Sequence, residues 1–384
     1  MEALTEEVRR LVKSGDEKTR KDVLDALSKL SASIESPDDT GQRITFYNMQ
    51  LAGIRIGIDL KLFEVLTQSE TPLTVDDLSK KTGANPVLLG RILRYLASYY
   101  AVEEVSKDTF TASRMSKTFA DSGFQAGIGH MFNTCGPIIQ ELPAWLKENH
   151  YPDIQDSLKT PFQKAMKTDQ PAFIWLQQQP ENLAYFNEYM KTNRAGMPTF
   201  LDVYPVLDRA TNLGPERALF VDIGGGVGHQ AVAFRQLYPQ LQGRVIVQDL
   251  APTLERALAH PEIEKMPYDF FNPQIVQAKF YYLRNIFHDW PDHKCREILN
   301  NTLEAMAPDS YLLVDDMVLP NTGVHWQQAQ LDILMMASMG ARERTQEQWH
   351  QLVEGTGLGI IKIHTYTASL QDSIIEAVLA PKAS

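Results

Sequence analysis

A glycine-rich segment that follows an apolar run is the first part of this sequence whose residue types and spacing point to chemistry. It reads Val221-Asp-Ile-Gly-Gly-Gly-Val-Gly-His229 and leads into a predicted helix, Gln230 to Leu237. Glycines at such a turn let a ligand approach the backbone closely. About 20 residues later a second apolar run ends in Asp249, whose carboxylate is well placed to accept hydrogen bonds from both hydroxyls of a ribose. The segment predicts a nucleoside-containing cofactor, with Leu250 lining the same site.

The spacing of the glycines indicates which cofactor this is. Dinucleotide-binding loops carry G-x-G-x-x-G, so that a pyrophosphate sits on the N-terminus of the helix. Here Gly224, Gly226 and Gly228 alternate, and Asp222 precedes them inside the end of the strand. A carboxylate at that position repels a pyrophosphate but suits the ammonium group of a methionine moiety. The segment therefore favours S-adenosylmethionine over NAD as the cofactor. The position of Asp249 disfavours the alternative that the glycine-rich turn is structural and binds no ligand.

Short apolar runs separated by helical segments must position this site. Buried parallel strands that alternate with helices form a doubly wound α/β sheet. Two further runs near the end of the sequence predict a pair of strands with a short connection. The predicted fold class is thus α/β, with a Rossmann-like domain. The predicted strands are Leu219 to Ile223, Arg244 to Gln248, Ala278 to Leu283, Tyr311 to Asp315, Ile360 to Tyr366 and Ser373 to Leu379.

The N-terminal part of the chain is helical in pattern. The first ~35 residues have an amphipathic pattern that predicts one or two helices. A longer helix is predicted from about Ile44 to Leu66. It is apolar on several faces, so we expect it to pack against a second helix or a second subunit. Thr74 with Asp77 three residues later is a capping-box-like helix start. A helix from Val87 to Tyr95 and a hairpin from Val102 to Thr111 follow. This order is typical of a winged helix, which serves either DNA binding or packing and dimerisation.

Composition and charge disfavour several classes of protein. Lys and Arg total 37 against 48 Asp and Glu, a net charge of −11, whereas nucleic-acid binding needs clustered cations. Cys135 and Cys295 are too few for a disulfide framework or a zinc site, and no carboxylate and histidine cluster has metal-ligand spacing. The N-terminus is charged, and no apolar stretch approaches the ~20 residues of a membrane span. We expect a cytosolic protein without a metal ion, a nucleic-acid partner or a membrane partner.

Five segments in chain order resemble the plant and fungal small-molecule O-methyltransferases of the caffeate/hydroxyindole type. The resemblance covers nearly the whole chain and implies a homodimer. It implies a helical and winged-helix dimerisation domain over residues 1–120, a helical linker or substrate-lid region over 121–210, and a Rossmann-like S-adenosylmethionine-binding catalytic domain over 211–384. The segments are Phe220-Val-Asp-Ile-Gly-Gly-Gly-Val-Gly-His, Tyr268-Asp-Phe-Phe, Leu283-Arg-Asn-Ile-Phe-His-Asp-Trp-Pro-Asp, Asp315-Asp-Met-Val-Leu-Pro and Gly340-Ala-Arg-Glu-Arg-Thr.

The resemblance assigns roles to residues outside the glycine segment. Asp269 would contact the adenine amino group, Phe270 would pack on the adenine ring, and the main chain around Arg284, where many members have Lys, would lie near the cofactor.

The same resemblance implies a catalytic base. His288 matches that base, and Asp316 and Glu343 match the two acids that orient it; many members have the longer Glu in place of Asp316. A phenol has a pKa near ~10, so a neutral imidazole that accepts its proton aids attack of the oxygen on the sulfonium methyl.

The acceptor pocket is predicted partly from the helical stretch between Phe124 and Tyr204, which is rich in aromatic residues and Met. Such residues mostly fill cores, but some can line a pocket for a flat, largely apolar substrate. By resemblance, four residues line the acceptor pocket, and His130 and Asn133 could face the same cavity from the opposite side. The four are Asn187, Met190, Met335 and Met336.

Two other functions compete with methyl transfer. Some fungal members of this fold bind S-adenosylmethionine but catalyse dehydration and pericyclic reactions, with residues resembling His130 and Arg194 activating the substrate. The presence of His288, Asp316 and Glu343 favours methyl transfer, because a pericyclase needs no such base. A non-catalytic regulatory protein that uses the winged helix would require a basic helix face, which the sequence lacks.

Overall fold

Two units, each with its own hydrophobic interior, make up the chain. The computed structural model describes residues 2–192, 196–211, 213–367 and 370–381. The first unit comprises Met1–Ala144 and Lys164–Gly196, and the second comprises Trp145–Gln163 and Met197–Ser384. The segment 121–210, predicted as a linker or lid region, is thus divided between the two units.

The first unit is mainly helical and carries one small sheet. Its helices and strands are α1 (Glu2–Ser14), α2 (Glu17–Ile34), α3 (Pro37–Thr45), α4 (Tyr47–Asp59), α5 (Leu62–Thr67), β1 (Leu73–Thr74), α6 (Val75–Thr82), α7 (Pro86–Ser98), β2 (Glu103–Ser106), β3 (Thr109–Thr111), α8 (Arg114–Phe119), α9 (Ser122–His130), a π-helix (Met131–Cys135), α10 (Gly136–Glu148), α11 (Pro161–Met166), α12 (Ala172–Gln177) and α13 (Pro180–Thr192); the division between the units falls within α10 and within α11.

The winged-helix pattern of the sequence is present in this unit. Thr74 and Asp77 form a reciprocal capping box at the start of α6, and α7 follows it. The predicted hairpin is β2 and β3, which pair antiparallel, and β1 adds a third strand beside β3. Leu78, Leu93 and Phe110 lie in a common core. The motif therefore buries part of its apolar surface in a core of its own.

The prediction of a single helix from Ile44 to Leu66 is wrong. The segment instead contains the end of α3, all of α4 and most of α5. Lys61 has a φ of 53°, a left-handed conformation that interrupts the helical hydrogen bonds between α4 and α5. Neither Gly nor Pro stands at this break, so the sequence carried no conventional signal for it.

The second unit alternates strands and helices. Its elements are a 3-10 turn (Phe200–Asp202), α14 (Val206–Arg209), β4 (Ala218–Ile223), α15 (His229–Leu237), β5 (Arg244–Asp249), α16 (Ala251–Leu254), β6 (Ile263–Pro267), β7 (Ala278–Arg284), a 3-10 turn (Phe287–Asp289), α17 (Asp292–Leu303), β8 (Tyr311–Leu319), α18 (Trp326–Met339), β9 (Arg344–Thr345), α19 (Gln346–Glu354), β10 (Leu358–Thr365) and β11 (Asp372–Leu379).

These strands form one mixed sheet in the order β10-β11-β8-β7-β4-β5-β6, with β9 paired to β8. The strands from β8 to β6 are parallel, whereas β10 and β11 are antiparallel additions. Every residue of β4 is buried, as expected for a strand covered by helices on both faces. The predicted α/β sheet and its six predicted strands are confirmed. None of the helices in the described part of the chain has the length and apolar character that a membrane span needs.

Candidate functional site

The carboxyl ends of the parallel strands carry most of the predicted site residues of the second unit. In an open α/β sheet, ligands bind at this edge because the loops that leave parallel strands all start there. The glycine segment follows β4, Asp249 ends β5, and Arg284 ends β7. Asp269 follows β6, and the short turn Phe287–Asp289 follows β7.

The glycine segment forms a tight loop against the end of β5. Gly224, Gly226 and Gly228 all have positive φ, between 60° and 88°, which other residues adopt only with strain. The Gly226 amide donates to Asp249 Oδ2 (2.9 Å), and the Leu250 amide donates to Asp249 Oδ1 (2.7 Å). The Leu250 side chain is exposed. The structure thus brings the loop and Asp249 into direct contact.

Asp222 is a buried carboxylate directly beneath this loop. Its exposed fraction is 1%, and its Oδ2 atom has no hydrogen-bond partner among the described residues. Burial raises the pKa of Asp222 to about 7, while a hydrogen bond from the Ala231 backbone and the charge of Arg284 act in the opposite direction. A buried carboxyl oxygen without a partner beneath a glycine loop suits a cationic ligand group such as an ammonium, whose charge would favour the ionised carboxylate.

The predicted adenine contacts lie beside the loop. Phe270 is half-buried, and its Cε1 atom is 3.6 Å from the position that a Cβ on Gly224 would take. Its ring packs edge-on against Trp290, with centroids 6.2 Å apart. Asp269 is exposed, and its Oδ1 accepts a hydrogen bond of 3.0 Å from the Phe271 amide. An exposed carboxylate next to an aromatic ring that faces a glycine loop suits a planar heterocycle.

Arg284 lies in a buried polar cluster. Its Nε atom is 3.5 Å from Asp315 Oδ2. Tyr282 donates a hydrogen bond to that same carboxylate, and Tyr366 donates to Asp315 Oδ1 at 2.7 Å. Burial raises the pKa of Asp315. The charge of Arg284 therefore offsets the buried carboxylate of Asp315, although its Nε atom has no hydrogen-bond partner among the described residues.

His288 and Glu343 form a direct pair although 54 residues separate them in the chain. His288 Nδ1 is 2.9 Å from Glu343 Oε1, and its Nε2 is 3.5 Å from Asp289 Oδ1. The Glu343 side chain is almost fully buried, and its amide is fixed by Asp332 Oδ1 at 2.9 Å. Burial alone favours the neutral ring, but the charges of Asp289 and Glu343 outweigh it and raise the pKa of His288 to about 10. The ring therefore carries a proton at neutral pH in this arrangement.

Asp316 does not contact His288. Its Oδ2 accepts a long hydrogen bond of 3.3 Å from the Phe287 amide, and its Oδ1 has no partner among the described residues. Burial raises the pKa of Asp316 to about 8, against the opposing charge of His288. Of the two acids predicted to orient the histidine, Glu343 holds the ring, whereas Asp316 holds the turn that carries it.

The predicted acceptor residues fall in both units. Met335 and Met336 are half-buried on α18, a helix that packs against the turn Phe287–Asp289. Asn187 and Met190 are exposed on α13. Arg194 lies outside the described residues.

His130 occupies an unusual position at the end of α9, where the π-helix begins. It is 8% exposed and packs edge-on against Phe186, with ring centroids 5.4 Å apart. Its Nε2 is 3.4 Å from Cys135 Sγ, and its Nδ1 has no partner among the described residues. Burial lowers the pKa of His130 to about 4, so the ring is neutral at pH 7. π-Helices occur frequently at functional sites.

Asn133, in the same π-helix, is tied to its surroundings on both sides. Its Oδ1 accepts a hydrogen bond of 3.1 Å from Arg55, and its Nδ2 donates to Asn182 Oδ1 at 3.3 Å. Both functional groups of the side chain amide are therefore already engaged within the first unit.

Sequence reasoning missed two residues of the histidine site. Asp289 lies beside Nε2 of His288, and its charge is the largest single cause that raises the pKa of the ring. Arg344 is fully buried and donates to the main chain of the turn that carries the histidine. Both stand directly next to a predicted residue in sequence, and the only available signal was a charged residue beside an already assigned acid or base.

Comparisons with known proteins place this chain in a family. The sequence model of the O-methyltransferase domain matches residues 145–359, and that of the O-methyltransferase dimerisation domain matches residues 48–122. O-methyltransferase lepI of Aspergillus flavus is 41% identical over 366 residues, 94% of each chain. Demethylsterigmatocystin 6-O-methyltransferase of Aspergillus parasiticus is 40% identical over 365 residues, again 94% of each chain.

Solved structures agree with these relatives. A structure described as a pericyclic reaction enzyme and a structure of LepI in complex with SAM each superimpose with a TM-score of 0.91, at 39% identity over 98% of both chains. The chain belongs to the O-methyltransferase family.

Proposed function

We propose that this chain is an S-adenosylmethionine-dependent O-methyltransferase that acts on a hydroxyl of a small aromatic or polyketide-like secondary metabolite. The observation that carries the proposal is the pair of His288 Nδ1 and Glu343 Oε1, 2.9 Å apart, in which the glutamate is buried and the histidine partly buried. Because Nδ1 is held by Glu343, Nε2 is the ring nitrogen that can take a substrate proton when the ring is neutral. The relative from Aspergillus parasiticus, a 6-O-methyltransferase by name, supports the same reaction.

The residues at the carboxyl edge of the sheet fit the cofactor. Asp222 would hold the ammonium group, because its Oδ2 is buried without a partner. Asp249 would bind the ribose hydroxyls, and Phe270 would pack on the adenine, with Asp269 at its amino group. When bound, S-adenosylmethionine supplies a methyl group on a positively charged sulfur, and that charge favours the neutral form of an imidazole.

The catalytic work of the chain is proton transfer and positioning. Glu343 fixes the orientation of the His288 ring, so that Nε2 faces the acceptor hydroxyl and takes its proton as the oxygen attacks. Asp289, 3.5 Å from the same Nε2, increases the basicity of the ring. The remaining acceleration comes from holding the acceptor in line, for which Met335 and Met336 supply apolar contacts.

Pericyclic or dehydrating chemistry is the second candidate function. One observation favours it: His130 is buried and neutral, and its Nδ1 lacks a partner among the described residues. Such a nitrogen can exchange a hydrogen bond with a polar substrate atom. The likeness to a pericyclic reaction enzyme at 39% identity supports this alternative, in which Arg194 would also activate the substrate.

A homodimer is part of the proposal, because residues 48–122 match a dimerisation domain. The substrate is a small molecule, and we propose no nucleic-acid or membrane partner. The two cysteines are free and buried, which is compatible with work in the cytoplasm.

The direct test is cofactor turnover. The pure protein is incubated with S-adenosylmethionine and a panel of phenolic and polyketide acceptors, and S-adenosylhomocysteine is followed by mass spectrometry. We expect its formation to depend on the acceptor, and we expect His288→Ala to lower the rate by roughly 100-fold or more with little change in cofactor affinity. His350 provides a matched control, because its Nδ1 is also 2.9 Å from a glutamate, Glu354, but at the surface. His350→Ala should leave the rate unchanged.

The same experiment separates the two candidate functions. If the acceptor rearranges at constant mass or loses water while the cofactor stays intact, and if His130→Ala abolishes that change, the pericyclase alternative replaces methyl transfer. A rate that is unaffected in His288→Ala would show that this histidine is not the base.

A further inference from the structure

Arg344 is buried directly behind the histidine turn. Its exposed fraction is 1%. Nη1 donates to the Phe287 carbonyl (2.8 Å), and Nη2 donates to the Trp290 carbonyl (2.9 Å). Asp292 Oδ1 accepts from Nε at 3.0 Å and from Nη2 at 2.8 Å, and Cys295 Sγ lies 3.1 Å from Nη2. All three nitrogens of the guanidinium are therefore engaged by acceptors in or next to the histidine turn.

The two carbonyls bracket His288 and Asp289. Phe287 precedes this dipeptide and Trp290 follows it, so the carbonyls on both sides point to a single guanidinium. The Phe287 amide is held from the other side by Asp316 Oδ2 (3.3 Å). The backbone that carries His288 is therefore fixed at both ends by buried side chains.

The neighbour of Arg344 in sequence holds the ring itself. Glu343 Oε1 is 2.9 Å from His288 Nδ1. Arg344 instead donates to the backbone carbonyls on either side of His288 and Asp289. Two consecutive residues thus determine both the rotation of the imidazole and the position of its Cα atom. This relation requires the planar fork of an arginine, because an ammonium group is a point charge that cannot reach acceptors in several fixed directions.

We propose that Arg344 is a positioning residue that keeps His288 aligned with Glu343 and with the acceptor hydroxyl. The inference deepens the proposed function and rests on His288 acting as the base. It assigns Arg344 no contact with substrate or cofactor. Its effect is transmitted through the Phe287–Asp289 turn, and a displacement of about 1 Å at such a site can lower a rate 100-fold.

Arg344→Lys in the full-length protein tests the proposal, since it keeps the charge and removes the fork. We expect kcat to fall roughly 10- to 100-fold, with S-adenosylmethionine affinity by calorimetry within about twofold. We also expect the pKa of His288, followed by NMR on the ¹⁵N-histidine-labelled protein, to fall toward its ordinary value because the contact with Glu343 loosens. Arg235→Lys is the matched control: Arg235 is also buried and donates to two carbonyls, Leu241 (2.8 Å) and Gly243 (2.6 Å). It should change neither kcat nor the His288 titration.

Asp292→Asn provides a second, milder variant in case Arg344→Lys does not fold. Asp292 is about one-third exposed. Loss of its charge weakens its hydrogen bonds with Arg344, so we expect a smaller fall in kcat and in the pKa of His288. Unchanged kcat and titration in the folded variants would overturn the proposal, as would equal losses in Arg344→Lys and Arg235→Lys. If the wild-type protein forms no S-adenosylhomocysteine, the proposed function fails, whereas a displaced His288 titration in Arg344→Lys would still show that Arg344 keeps His288 aligned with Glu343.

Discussion

Three acids at the carboxyl edge of the sheet each retain one buried oxygen without a hydrogen-bond partner among the described residues. These atoms are Oδ2 of Asp222, Oδ1 of Asp316 and Oε2 of Glu343. An unsatisfied buried acceptor costs about 1–3 kcal/mol, and burial raises the pKa of both Asp222 and Asp316. Such a concentration of unfavourable groups in one place is typical of a site that uses them.

The pH dependence of the reaction follows from the charge on His288. Its pKa is raised to about 10, so at pH 7 most molecules hold the ring protonated and unable to accept a proton. As the pH increases, the neutral fraction grows, and we expect the rate of S-adenosylhomocysteine formation to rise by up to roughly tenfold per pH unit. The rise should be present from pH 6 upward and level off near the pKa of the bound enzyme. Initial rates at saturating substrate between pH 6 and 10 measure this.

Asp289 sets the position of that profile. Asp289→Asn removes the carboxylate nearest to Nε2, lowers the pKa of His288 and should move the midpoint to lower pH by roughly one unit. In His288→Ala the much lower residual rate should follow the ionisation of the acceptor hydroxyl, and removal of Asp289 should no longer move its midpoint. A wild-type rate that is flat from pH 6 to 10, or an unmoved midpoint in Asp289→Asn, would contradict the assignment of the titrating group.

Residues close in sequence were predictable, whereas contacts across the fold were not. The glycines and Asp249 could be identified because successive parallel strands bring their ends together at a fixed spacing. The pair of His288 and Glu343 came from family resemblance alone, since no local pattern relates a turn after β7 to a loop before β9. That Asp316 bonds a backbone amide instead of the imidazole depends on the length of its side chain.

The elements follow the apolar patterning where burial is complete and depart from it at the edges. Strands β4, β5, β7 and β8 were predicted because both faces are covered. β6 was missed because it is an edge strand with exposed Glu264 and Lys265, so it has no apolar run. Pairing with β5, and not patterning, makes this segment a strand.

The glycine loop gives a prediction at the scale of an element. A Cβ on Gly225 would lie 2.5 Å from Asp222 Cγ and 2.8 Å from Val247 Cγ2. Gly225→Ala must therefore move the loop or the buried carboxylate beneath it, and we expect S-adenosylmethionine affinity to fall at least tenfold and stability to drop by about 1–3 kcal/mol. Calorimetric titration and denaturant unfolding measure the two effects.

Gly359→Ala is the control for this loop variant. Gly359 lies in β10 of the same sheet, and nothing stands within 4 Å of the Cβ that it would acquire. Its affinity and stability should match those of the wild type. Wild-type cofactor affinity in Gly225→Ala would mean that the loop does not need its close approach to Asp222.

At the scale of the whole molecule, the first unit leaves several large apolar side chains exposed outside its own core. Helix α2 buries none of its residues, although Leu24, Leu27, Leu30 and Ile34 are large and exposed. Exposed apolar residues also occur within 48–122, the part that matches the dimerisation domain. They are Met49, Ile56, Val87, Leu88, Tyr100 and Val105. We expect part of this exposed apolar surface to lie in a subunit interface, because large exposed apolar patches commonly mark interaction sites.

Helix α4 offers the sharpest test of a homodimer. Met49 and Ile56 are 52% and 40% exposed and lie seven residues apart, on one face of the helix. The double variant Met49→Asp/Ile56→Asp places two charges on that face while Gly53, Ile54 and Gly57 keep their inward contacts. Light scattering after size exclusion should give the wild type about twice the 43.4 kDa of one chain and the variant a single chain.

Ile275→Asp/Ile361→Asp, at exposed sites of the second unit, should remain dimeric. Because the residues proposed to bind the cofactor all lie in the second unit, the monomeric variant should bind S-adenosylmethionine as tightly as the wild type. Loss of methyl transfer in the same variant would show that the partner subunit contributes to the acceptor pocket. A monomeric wild type, or a variant that stays dimeric, would place the interface elsewhere or remove it.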